Sequence, residues 1–118
     1  MCDRLALAGD ERCDMIKRVV LIKLNEEYAN EAGRDKVVRH AQRVLPLLPG
    51  VVGVQVGSVA EGSSPDWDVT IIVELAHLED YARYRDDPDH RAFLDEFLKP
   101  RTVTRTAANF VIEDLGEN

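Results

Sequence analysis

The stretch Ile16-Lys17-Arg18-Val19-Val20-Leu21-Ile22-Lys23-Leu24 is the most strongly patterned in the chain. Its β-branched residues and its shortness predict a strand rather than a helix. Neighbouring side chains of a strand point to opposite faces, so Val20, Ile22 and Leu24 share one face while Val19 and Leu21 share the other. Both faces are apolar. A strand of that kind is covered on both sides.

Moving outward, Val37, Val38, Ala41, Val44, Leu45 and Leu48 fall on one helical face, which predicts a helix from about Asn30 to Leu48. Pro49-Gly50 ends it. Val51 to Gly57 reads as a second strand whose glycines signal bulges or close backbone approach. Ala60 to Asp66 reads as a hairpin-type loop, and Trp67 to Leu75 as a third strand with apolar residues on both faces. Leu78 to Arg85 is a short helix, with Leu78, Tyr81, Ala82 and Arg85 inward or at its edge. It breaks at Asp86-Asp87-Pro88, where Asp87 suits an N-cap and Pro88 the first helical position. A further helix runs to Lys99, presenting Phe93, Leu94, Phe97 and Leu98. Thr104 to Glu113 forms the last strand.

The order βαββααβ, joined by right-handed crossovers, predicts an α+β fold of ferredoxin-like plan: an antiparallel four-stranded sheet with helices on one face. Val19, Leu21 and Ile72 would then lie bare on the other face. A second copy packed sheet on sheet would cover them, so a homodimer through the sheet is expected. Residues 1–15 read as an N-terminal extension, 16–113 as the domain and 114–118 as a tail.

Composition narrows the partners. The chain has 118 residues, enough for one domain, and 45% are hydrophobic, a globular balance. A net charge of −7 without a basic stripe argues against nucleic acid and anionic membrane surfaces as partners. No stretch is long and apolar enough to span a bilayer. Cys2 and Cys13 read as free thiols of a reducing compartment, which makes the cytoplasm the expected location. No metal-ligand spacing, phosphate loop or nucleophile elbow is found, and no cofactor is expected.

Several segments, taken in order, resemble the stress-responsive dimeric α/β-barrel (Dabb) domain family over about residues 16–113. They are Lys17-Arg18-Val19-Val20-Leu21-Ile22-Lys23-Leu24, Leu48-Pro49-Gly50-Val51, Leu78-Glu79-Asp80-Tyr81, and the run from Asp87 to Pro100, which looks like the family's "HPxHxxFxxxFxxP" segment. The resemblance implies a homodimer whose two sheets form a barrel. It also implies mixed functions: some plant members are implicated in stress responses, and one is a polyketide cyclase that closes a ring by aldol condensation.

In that cyclase a Tyr and a His at the separation of Tyr84 and His90 are the working pair. By resemblance, His90 would remove a proton α to a carbonyl and Tyr84 would hydrogen-bond the carbonyl oxygen. A helix N-terminus disfavours the imidazolium, while Asp86, Asp87 and Asp89 push the other way. The competing structural roles are a hydrogen bond from the His90 side chain back to the cap residue, and a half-buried Tyr84 with its hydroxyl in water. Arg18, Val20, Ile22, Trp67, Ile71 and Phe93 are candidates to line the ligand space, with Trp67 also readable as core or dimer rim. His40 and His77 read as surface residues.

Two positions depart from the family pattern. Asp87 stands at the first His of the segment, where capping is a sufficient role. Arg18 stands where the first strand often carries His, and there it would favour an anionic substrate. The expected function is binding of a small hydrophobic carbonyl compound, with cyclase- or isomerase-like chemistry on a β-keto substrate. The alternatives are a non-catalytic stress-response or oligomerising protein, and a barrel-type monooxygenase.

Overall fold

Residues 15–63 and 66–113 are described in the computed structural model of the protein. The expected extension up to residue 14, with both cysteines, and the expected tail from residue 114 lie outside the described residues.

Strand β1 (Met15–Leu24) occupies the middle of a four-stranded sheet with β2 (Val51–Ser58), β3 (Val69–Leu75) and β4 (Thr102–Ile112). The strand order is β2-β3-β1-β4 and every pairing is antiparallel. This is the ferredoxin-like plan expected from the element order. The alternation also holds: Ile16, Val20, Ile22 and Leu24 of β1, with Val69, Ile71, Val73 and Leu75 of β3, are buried beneath the helices. In β2 the register shifts between Val51 and Gly53, the bulge its glycines signalled. A Cβ on Gly53 would meet the Glu74 carboxylate, the far end of a flexible side chain that can swing aside.

Helix α1 (Glu31–Val44) starts where the Asn30 side chain accepts a hydrogen bond from Gly33 N at 2.7 Å. It buries Val37, Val38 and Ala41. The regular helix stops at Val44 rather than Leu48. Pro46 has no N–H to give the preceding turn, so Leu45–Leu47 tighten into a single 3-10 turn. Gly50, at a φ of 82°, then reverses the chain into β2.

Helix α2 (Asp80–Asp86) and helix α3 (Pro88–Ala92) meet at Asp87, whose carboxylate accepts from Asp89 N at 2.9 Å and His90 N at 3.3 Å. The cap and the Pro88 position are as expected. The expected helix to Lys99 is corrected in kind: beyond Ala92 it widens into a π-helical segment (Phe93–Leu98), then a 3-10 turn (Lys99–Arg101) that contains Pro100. The inward face of α2 is also corrected. Tyr84 is buried, whereas Ala82 and Leu78 are exposed. The helix begins only at Asp80, which makes Tyr81 and Tyr84 the pair one turn apart on the inner side.

The third strand joins the ladder at Val69 rather than Trp67, because Asp68 turns its side chain into the sheet. Its Oδ2 accepts from Leu24 N at 2.8 Å, and Arg34 lies 3.4 Å from its Oδ1. The last strand runs over Thr102–Ile112 rather than Thr104 to Glu113. No helix among the described residues is long and apolar enough to cross a membrane.

Candidate functional site

The break at Asp87 folds α3 back toward α2, so two residues six apart in sequence meet. The rings of Tyr84 and His90 are 4.2 Å apart and inclined at 41°. Both side chains are buried, Tyr84 with 3% and His90 with 6% of its surface exposed. They line a cavity of about 200 Å³ between helices and sheet. Arg18, Val20 and Ile71 form its sheet wall, and Phe93 closes part of the helix wall. Roomier hollows of about 450 Å³ beside His40 and about 600 Å³ beside Arg34 lie elsewhere, but neither collects two buried titratable side chains.

His90 is oriented by a contact that its sequence position does not announce. Its Nδ1 lies 3.0 Å from the Arg85 carbonyl oxygen. A carbonyl only accepts, so Nδ1 carries the proton and donates it. The expected side-chain bond back to the cap is not formed; Asp87 receives the His90 backbone N–H instead. Burial pushes the imidazole below its ordinary value of 6.5. The Arg85 carbonyl bond opposes that shift, and Arg18, Arg91 and Arg105 add to it. The ring is therefore neutral at pH 7, with Nε2 as its basic atom.

Burial pushes the Tyr84 phenol up to about 12, against a weaker downward pull from Arg18. It stays protonated at neutral pH as a hydroxyl donor. A neutral base and a neutral acid beside one cavity can move a proton and hold the charge that results.

Arg18 reaches the site from β1, on the same face as Val20. Its guanidinium donates to Asn109 Oδ1 at 3.0 Å and lies 4.8 Å from the centre of the Tyr81 ring. Two of the expected lining residues are elsewhere. Ile22 faces the same side but is fully buried in the core and does not reach the cavity. Trp67 lies beside Leu21 and Thr70 in a shallow hollow bordering the sheet's opposite face, because the chain turns at Asp68 before the ladder begins.

His77 is exposed as expected, but His40 is not a plain surface residue. Its ring stacks on Phe97 at 4.0 Å and on Phe93 at 5.6 Å. The sequence places Tyr81 and Arg85 inward or at the edge of their helix without assigning them to the cavity, and it carries no sign of Arg91 and Arg105 there. The i, i+3 spacing of Tyr81 and Tyr84 was a usable signal for Tyr81. Among the described residues no group of three His, Cys, Asp or Glu side chains is placed to hold a metal ion.

The model of the Stress responsive A/B Barrel Domain family matches residues 16–112. No curated protein matches the chain. Among solved structures, a Dabb family protein with a ferredoxin-like fold from Mesorhizobium loti is 22% identical, with a TM-score of 0.71, covering 86% of this chain and 99% of its own. A dimeric ferredoxin-like protein of unknown function from Thermobifida fusca is 20% identical, with a TM-score of 0.70 and coverages of 84% and 92%. A hydroxynitrile lyase from Passiflora edulis is 11% identical, with a TM-score of 0.71 and coverages of 87% and 97%. At these identities the likeness is one of fold.

Proposed function

Because this chain belongs to the stress responsive A/B barrel domain family, we propose that it binds a small carbonyl compound and moves a proton on it without a cofactor, as a homodimer. The observation that carries this reading is the buried Tyr84–His90 pair at 4.2 Å beside one cavity. In the reaction we envisage, His90 Nε2 takes a proton from the carbon next to the carbonyl. The electron pair moves onto the carbonyl oxygen, where the Tyr84 hydroxyl donates a hydrogen bond and stabilises the enolate.

Burial and the neighbouring guanidinium groups disfavour the imidazolium formed, so His90 returns its proton readily. That suits isomerisation or ring closure, where the proton goes back to the product. A neutral imidazole is a weak base. A β-keto compound, whose acidic carbon lies between two carbonyls, is the substrate class it best matches.

Dimerisation through the sheet face away from the helices is the second part of the proposal. Val19 and Leu21 of β1 and Ile72 of β3 are only half-buried there. A second copy laid on that face would cover them. The net charge of −7 suits a protein that stays dissolved, and we place its action in the cytoplasm.

Hydrogen–deuterium exchange at the acidic carbon of a small β-diketone, followed by NMR, tests the chemistry. The protein should accelerate exchange, and His90→Ala should remove roughly 10²–10⁴-fold of the acceleration. Tyr84→Phe should slow it by a smaller factor. Exchange that His90→Ala leaves unchanged would remove the base assignment.

A further inference from the structure

We infer that the ligand of the Tyr84–His90 cavity carries a carboxylate, held by Arg18 and Arg105. The inference rests on the carbonyl-binding reading of that cavity and adds the class of compound: a small keto acid, its carbonyl at Tyr84 and His90 and its carboxylate between the two guanidinium groups.

The charge distribution is the starting point. The chain as a whole carries −7, yet the described residues lining this cavity include four arginines and no Asp or Glu. Two of the four are already balanced. Arg85 binds the Asp86 carboxylate at 2.8 and 3.0 Å, and Arg91 lies 3.6 Å from Asp95. Arg18 is not balanced. Its partners are the neutral Asn109 amide and the face of Tyr81. The Arg105 side chain makes no hydrogen bond or ion pair among the described residues.

Two guanidinium groups without a carboxylate partner at one cavity, Arg18 partly buried and Arg105 exposed, repel each other, and an anion between them would offset that repulsion. Their planar forks match a carboxylate, which each can bind through two parallel N–H donors. Both come from the sheet side. Arg18 shares its face of β1 with Val20 and Ile22, and Arg105 pairs with Ile22 across the β1–β4 ladder. The anion would thus sit on the sheet wall, with the reacting carbon under the helix pair. A cavity of about 200 Å³ lies below the usual range for drug-sized ligands, about 300–1,000 Å³, so the compound is small.

The test titrates the full protein with benzoate, with its neutral isostere benzamide and with inorganic phosphate, reading the His90 ring signals by NMR. Benzoate should bind at least about tenfold more tightly than benzamide. That preference should shrink about tenfold in Arg18→Gln and in Arg105→Gln, and should fall with added salt. Arg105 is exposed, so its substitution leaves the core alone, and circular dichroism checks the fold of both variants. Arg18→Lys, which keeps the charge and loses the fork, should recover part of the preference.

Four outcomes overturn the inference: no benzoate binding, equal affinity for benzoate and benzamide, a preference untouched by both substitutions, or phosphate binding more tightly than benzoate. The β-diketone exchange separates this inference from the reading beneath it. His90-dependent exchange without a benzoate preference sinks only the carboxylate site. A benzoate preference with His90-independent exchange sinks the base and leaves the anion site standing.

Discussion

At Tyr84 and His90 the same burial acts on two neutral groups and shifts them in opposite directions. The folded protein holds His90 below 6.5, while an unfolded chain takes up that proton at about 6.5. Below that pH the unfolded state therefore binds more protons than the native one, and stability falls with the pH. His40, also lowered chiefly by burial, adds to the same trend. Tyr84 works at the other end. Its folded value of about 12 exceeds the ordinary 10.0, so the native state holds the phenolic proton longer. Its contribution is complete below pH 10 and is lost as the pH rises to about 12, amounting to roughly 2–3 kcal/mol. Urea unfolding across pH should show both slopes, with His90→Gln flattening the acid side and Tyr84→Phe the alkaline side. An unchanged alkaline slope in Tyr84→Phe would mean that the phenol is not buried in solution.

At the scale of elements, Asp68 ties three of them together. Its carboxylate takes the Leu24 N–H at the end of β1, its Oδ1 faces Arg34 of α1, and its backbone N–H donates to Ile22 O at 2.8 Å. Removing the carboxylate leaves a buried N–H without an acceptor. Asp68→Ala should cost about 1–3 kcal/mol, and Asp68→Asn, which keeps an acceptor oxygen, should cost less. The denaturation midpoints of the two variants measure this, and equal midpoints for Asp68→Ala and the parent would contradict the assigned role.

Element identities and the Asp87 cap were legible because periodicity and capping chemistry are local. Asp68 was not, because an Asp within the expected strand Trp67 to Leu75 carries no local sign of its distant partners. The wide turn at Phe93–Leu98 was equally hidden, since its apolar spacing also fits an ordinary helix.

Over the whole molecule, the proposed dimer rests on the sheet face away from the helices. Across its middle Gln55, Ile72, Val19 and Ala108 lie side by side, with Thr70, Leu21 and Thr106 in the next row. The Lys17–Glu74 pair at 3.2 Å lies beyond them on the same face, and Phe110 is half exposed beside Lys17. A narrow apolar centre with a polar rim has the composition of an interface. Ile72→Asp would place a charge at that centre and should convert a dimer into a monomer, as sedimentation equilibrium would show. A parent protein that is already monomeric at micromolar concentration would refute the assembly.

Val19 and Leu21 set against Val20 and Ile22 were enough to establish, from sequence alone, a strand apolar on both faces, which with the element order gives the α+β plan, because alternation in a strand is a local consequence of the pleat. Tyr84 and His90 were legible as a pair only through family resemblance. Tertiary structure decided what surrounds them: the Arg85 carbonyl that fixes the imidazole tautomer, the four arginines of the cavity, and the exclusion of Ile22 and Trp67 from it. Those features depend on how helix layer and sheet are set against each other. That setting is the sum of many weak packing contacts between residues far apart in the chain, and no local pattern records it.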